Sequence, residues 1–180
     1  MRPAKGRKAV SKSARKSARK SAALIDVMVQ SARWKKHPRA SAIVRKAVQA
    51  AAKATSTRQP ELAIVLTDDS AIRTLNRDWR GFDKPTNVLS FPAPKPRAGT
   101  THSGSLGDVI IAFQTVAREA ADEGKPFTHH LAHLAVHGFL HLLGHDHEND
   151  RDARAMERLE VEILAGLGLP DPYIEQDAKR

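Results

Sequence analysis

The chain contains no cysteine. Disulfides are therefore excluded, and any bound metal has to be held by histidines and carboxylates. That composition fits a reducing cytoplasm. No apolar run approaches the roughly 18 residues that a membrane helix needs, so the chain reads as soluble, with no membrane partner. Aromatics are scarce at 4%, and the hydrophobic fraction of 41% is a little below the usual globular range. With 180 residues, the chain still suffices for one domain with a real core and is too short to favour two.

Acidic residues are missing altogether from the first twenty positions, which hold nine Lys or Arg. Taking those nine from the total of 30 leaves 21 basic against 20 acidic residues in the rest, so the net charge of +10 belongs to one end. Residues 1–22 are expected to form a basic, low-complexity, disordered tail in which Ser-Ala-Arg-Lys repeats at Ser13–Lys16 and Ser17–Lys20. A solvated arm, an arm adding sequence-blind phosphate affinity, and an organellar transit peptide all match that composition. A secretory signal does not, since no 7–15-residue apolar stretch follows the charges. Residues 23–174 are expected to form the single domain, and 175–180 a C-terminal tail.

Within the domain, Leu24–Val29, Glu61–Thr67, Asn87–Phe91 and Leu106–Ile111 read as strands. Ser41–Lys53 reads as a helix with Ser41 as N-cap candidate. A second helix, capped by Asp68 or Asp69, runs through Ile72, Leu75 and Trp79. Prolines 92, 94 and 96 mark 92–104 as a loop, and helices follow at Gln114–Glu123, Thr128–Leu143 and Asp150–Leu167. The order βαβαββααα implies an α+β domain with a small mixed four-stranded sheet packed with helices.

Seven of the nine histidines lie between positions 129 and 147. His137 and His141, four apart on a helix, share one face and can reach one ion. Gly144 can end the helix in the left-handed conformation, and the chain then returns His147 to the same side. The spacing H-x-x-x-H-x-x-G-x-x-H is that of the metzincin motif, and three protein nitrogens leave a fourth position open, as catalytic sites do. The metal site thus falls on a helix and the turn after it. Where metalloproteases carry a general-base Glu, this chain has Gly138, which argues against peptide hydrolysis. Asp146, Glu148 or a water on the metal are the nearby alternatives. His133 reads as support for the site or as packing; His145 is left out of it, and His37, His102, His129 and His130 read as ordinary.

The stretch His137-Gly-Phe-Leu-His-Leu-Leu-Gly-His-Asp-His147 resembles the most specific motif of the YbeY endoribonuclease family. Leu75-Asn-Arg-Asp-Trp-Arg-Gly-Phe-Asp-Lys-Pro-Thr-Asn-Val-Leu-Ser-Phe-Pro92 is similar to that family's other characteristic block. Leu106–Ile111, Met156, Leu159-Glu160, Ile163-Leu164 and Pro172-Tyr173 follow in order, so the likeness covers about residues 23–174.

The resemblance implies a zincin-like fold and one zinc ion per chain at His137, His141 and His147. It implies single-strand-specific cleavage of RNA in maturation of the 3′ end of small-subunit ribosomal RNA and in ribosome quality control. Ribosomal RNA, the ribosome and small-subunit proteins are then the implied partners. Arg80 matches the family's active-site arginine, and a guanidinium suits a phosphate because it can grip two oxygens at once. Two other functions compete: a metal-dependent hydrolase of a peptide or small molecule, and a non-catalytic ribosome or RNA-binding factor whose metal only stabilises the fold.

Overall fold

The computed structural model describes residues 24–94, 105–147 and 149–174. The expectations for the tails at 1–22 and 175–180, and for His102 and Glu148, fall outside the described residues.

Four strands, β1 (Leu24–Val29), β2 (Glu61–Thr67), β3 (Val88–Pro92) and β4 (Gly107–Ala112), form one sheet in the order β1-β2-β4-β3. β1, β2 and β4 are parallel, and β3 runs antiparallel along β4. The helices are α1 (Ala40–Ala54), α2 (Asp69–Arg80), α3 (Phe113–Asp122), α4 (Phe127–Leu142) and α5 (Asp150–Gly166). The mixed α+β architecture expected from the sequence is therefore present.

Central strands covered on both faces need apolar residues at every position, not at alternate ones. β2 meets this with Leu62, Ile64 and Leu66 packed in the main core and Val65 in a second cluster with Ile72 of α2 and Ile110. α1, α4 and α5 fill the main core against one face of the sheet, and α2 covers the other.

Some local expectations shift. The N-cap of α1 is Arg39, with no side-chain cap, where Ser41 was the candidate. Asp68 does cap α2, accepting from Ala71 N at 3.1 Å. β3 includes Pro92, which serves there because this edge strand needs no further donor at that residue. A 3₁₀ helix at Ala32–Lys36 goes beyond the sequence reading; it seats Trp34, whose indole donates to Thr67 O at 2.8 Å.

α4 is the axis of the domain. Ten of its 16 residues are buried, so it is apolar nearly all round, as a helix enclosed by other elements must be. It lies so close to the sheet that a Cβ on Gly138 would stand 2.6 Å from Val109 Cγ1 and 3.2 Å from Ser90 Oγ. Ser90 Oγ also donates to Gly138 O at 3.0 Å. This packing gives Gly138 a structural reason: the position faces β3 and β4, and a longer side chain has no room there.

Gly138→Ala should lower the urea midpoint, because overpacking costs about 1–3 kcal/mol against a helix-propensity gain of about 1 kcal/mol. Gly166→Ala, whose Cβ meets nothing within 4 Å, should leave the midpoint unchanged or raise it. Equal midpoints for Gly138→Ala and wild type would contradict the close approach.

Candidate metal centre

α4 carries His137 and His141 one turn apart. At its end Gly144 adopts φ +87°, and the turn closes through Gly144 N to His141 O (3.0 Å) and His145 N to Leu140 O (3.1 Å). Those paired bonds satisfy the last carbonyls and reverse the chain. Two residues on, His147 returns to the helical pair, and its amide donates to Asp146 Oδ1 at 2.7 Å. One ligand atom from each of His137, His141 and His147 lies within 4.8 Å of the others, the one such cluster among the described residues.

The arrangement suits a metal by its chemistry. His137 Nε2 and His141 Nε2 are 3.0 Å apart. Two nitrogens bound tetrahedrally at zinc distances stand roughly 3.3 Å apart, so a few tenths of an ångström of rotation would accommodate an ion. A ligand imidazole must be neutral. Burial, followed by the nearness of His137 and His147, lowers the His141 pKa to about 4, so the ring is neutral at pH 7.

Behind the triad lies a carboxylate that the sequence reading quoted only within the family likeness. Glu160 of α5 is fully buried. Its Oε1 accepts from His137 Nδ1 at 2.8 Å and its Oε2 from His133 Nε2 at 2.8 Å. Tyr173 OH also donates to Oε2. A carboxylate on Nδ1 leaves the Nε2 lone pair of His137 aimed at the ion position, which is how metal-binding imidazoles are commonly oriented. Burial works to raise the Glu160 pKa, but the bonds from His133 and His137 outweigh it and hold it at about 2. Burial and the nearby carboxylate push the Tyr173 phenol up, keeping it a donor. His133, expected as support or packing, is thus support.

Arg80, at the end of α2, lines the same cleft as the three histidines, a space of about 640 Å³. His145 and Asp146 also line it, although His145 stays outside the metal cluster. His130 is less ordinary than expected: it is buried, with Nε2 2.8 Å from Glu119 Oε2, which also accepts from Asn87 Nδ2 at 2.9 Å. His37 packs on Phe127, with ring centroids 4.1 Å apart.

The depressed Glu160 pKa sets a pH window. A carboxyl ionised more readily when folded stabilises the fold fully above its ordinary 4.5 and loses that contribution as pH falls towards 2. Urea titrations of metal-free protein should show wild type losing about 3 kcal/mol more than Glu160→Gln across that window. Parallel losses would mean that the carboxyl is not held ionised.

Comparison with known proteins identifies the family. The model of the family described as Endoribonuclease YbeY matches residues 27–168. A protein of that name from Rhodopseudomonas palustris (strain BisB18) is 57% identical over 156 residues, covering 84% of this chain and 93% of its own. Relatives of the same name from Bradyrhizobium diazoefficiens and Nitrobacter hamburgensis are 52% and 54% identical, spanning 85% and 84% of this chain and 86% and 83% of theirs. A chain from Thermotoga maritima, solved in solution, shares 21% identity at a TM-score of 0.49 over 80% of this chain and 91% of that one, too loose a likeness to bear on the fold. With more than two thirds of the sequence matched by the family model and by relatives at over 50% identity, the chain belongs to the YbeY endoribonuclease family.

Proposed function

We propose that this protein is a single-strand-specific, zinc-dependent endoribonuclease that matures the 3′ end of small-subunit ribosomal RNA and serves ribosome quality control. On this reading it works in the cytoplasm, on RNA held in or released from the ribosome, and its site is of zincin type. The observation that carries the proposal is the convergence of three imidazoles within 4.8 Å, in a cleft that Arg80 also lines, in a chain of this family.

One zinc ion per chain would be held by His137, His141 and His147. When bound there, zinc supplies Lewis-acid strength and lowers the pKa of a water in its open position towards 7. The protein's own groups do the rest. Glu160 fixes the ring of His137 through Nδ1, and Asp146 fixes the approach of His147 through its backbone amide. Arg80 at the cleft wall grips the scissile phosphate through two N–H groups and offsets the charge that grows on it.

Gly138 provides no base, and its contact with Val109 leaves no room for one. The proton that the attacking water gives up is instead taken by a carboxylate after Gly144. Asp146 lines the cleft and Glu148 follows two residues later. That arrangement favours phosphodiester over peptide cleavage, because amide hydrolysis in the metzincin manner relies on the missing Glu.

Purified protein should contain one zinc per chain, and replacing any of the three histidines by Ala should remove it; undiminished zinc in His147→Ala would exclude that residue. Wild type should cut a short unstructured RNA, whereas His141→Ala should not. Cleavage by metal-free His141→Ala at the wild-type rate would overturn the reading.

Arg80→Ala should fold normally yet lose about a hundredfold or more in kcat/KM. Arg80→Lys should recover little of that, since lysine keeps the charge without the planar fork. Wild-type rates in Arg80→Lys would show that the two-pronged grip is wrong.

A further inference from the structure

The chain has eight Trp, Tyr and Phe residues, and five of them are accounted for inside the fold. Trp34, Phe113 and Phe127 pack together, with centroids 5.2 to 6.0 Å apart. Phe139 is buried in α4, and Tyr173 is bonded to Glu160. The remaining three are Trp79 at the end of α2, Phe82 in the turn after it, and Phe91 of β3, which packs partly buried against Ile72, Leu89 and Ile110. Trp79 is 72% exposed and Phe82 53%. Trp79 stands edge-on to Phe91, centroids 5.7 Å apart, and the Arg80 guanidinium lies 5.7 Å from the centre of the Phe82 ring.

A single exposed ring needs no explanation, but two large exposed rings on either side of the arginine that lines the cleft are different. The ledge is also braced. Gly81 adopts φ +75°, which lets the chain leave the helix sharply. Buried Asn76 then donates from Nδ2 to Lys84 O at 2.8 Å, and Arg73 binds Asp83 through two bonds of 2.8 Å. Phe82 is thus presented to solvent by a turn tied at both ends.

We infer that Trp79, braced by Phe91, and Phe82 form a stacking platform for the bases of single-stranded RNA flanking the cleavage position. The inference deepens the endoribonuclease reading and takes its substrate class from it. Two features choose RNA as the occupant over a protein surface. Arg80 and Lys84 stand on either side of Phe82 in the chain, the alternation that a strand with a π-face and a phosphate at every step demands. The platform also adjoins the cleft: Arg80, which lines it, holds its guanidinium against the face of Phe82. A strand whose phosphate is held by Arg80 lays its neighbouring bases across these rings. Such contacts are indifferent to base identity, so the platform confers a requirement for unpaired RNA without sequence preference.

The chain's two tryptophans make this directly testable, because Trp34 is buried and Trp79 is not. The probe is a uridine oligomer of about a dozen nucleotides, labelled for anisotropy, bound to otherwise wild-type protein in which His141→Ala prevents cleavage. RNA should quench tryptophan emission, and Trp79→Phe should abolish the quench while keeping affinity within about twofold. Trp79→Ala and Phe82→Ala should each weaken binding about tenfold, with unchanged melting temperature. The factor should persist at raised salt, where phosphate contacts fade.

A quench that survives in Trp79→Phe, or Ala variants that bind like their parent, would overturn the platform. So would a dimer in sedimentation that Trp79→Ala dissolves without changing RNA affinity, since the surface would then serve a protein. RNA binding that quenches Trp79 without any cleavage by wild type would support the platform while refuting the proposed catalytic activity.

Discussion

The bond between the Glu160 carboxylate and His137 Nδ1 is the interaction on which the site depends. A carboxylate with no exposure is costly unless several donors meet it, and here three do, from His133, His137 and Tyr173. Each comes from a different place: two turns of α4 and the segment after α5. Satisfying the charge therefore ties these pieces together and, in the same stroke, sets the ring of His137. The histidine cluster is braced from behind by this carboxylate. Removing the carboxylate would loosen an imidazole as well as a helix contact.

The site is also constrained by the sheet. Gly138 brings α4 against β3 and β4, which seats the helix and fixes the direction in which His137 and His141 project. The same contact leaves no space for the base that metalloproteases carry there. Scaffold packing and reaction type are thus linked at one residue. The helix lies close because position 138 is glycine, and a general base at that place is excluded.

Much of this was legible in the sequence because it is local. Two histidines four apart, a helix-ending glycine and a third histidine encode their own geometry within eleven residues, and the structure assembles them as that spacing implies. The strands were readable for a similar reason, since β2 is an unbroken apolar run bounded by polar residues. Glu160 was harder, because its partners are 23 and 27 residues away and no short spacing marks them. A signal existed nonetheless. Met156, Glu160, Ile163 and Leu164 share the buried stripe of α5, and a carboxylate on such a stripe requires buried donors. His130 escaped notice likewise, its partner Glu119 lying on the preceding helix. The N-cap of α1 moved from Ser41 to Arg39 because the chain enters that helix through a tight turn, Ala40 N bonding His37 O at 2.9 Å.

Zinc-edge X-ray absorption on the purified protein tests the central claim most directly, since it counts the imidazoles around the ion. The account predicts three imidazole nitrogens at about 2.0–2.1 Å with one further light atom. A shell of water and carboxylate oxygens with one imidazole or none would contradict it.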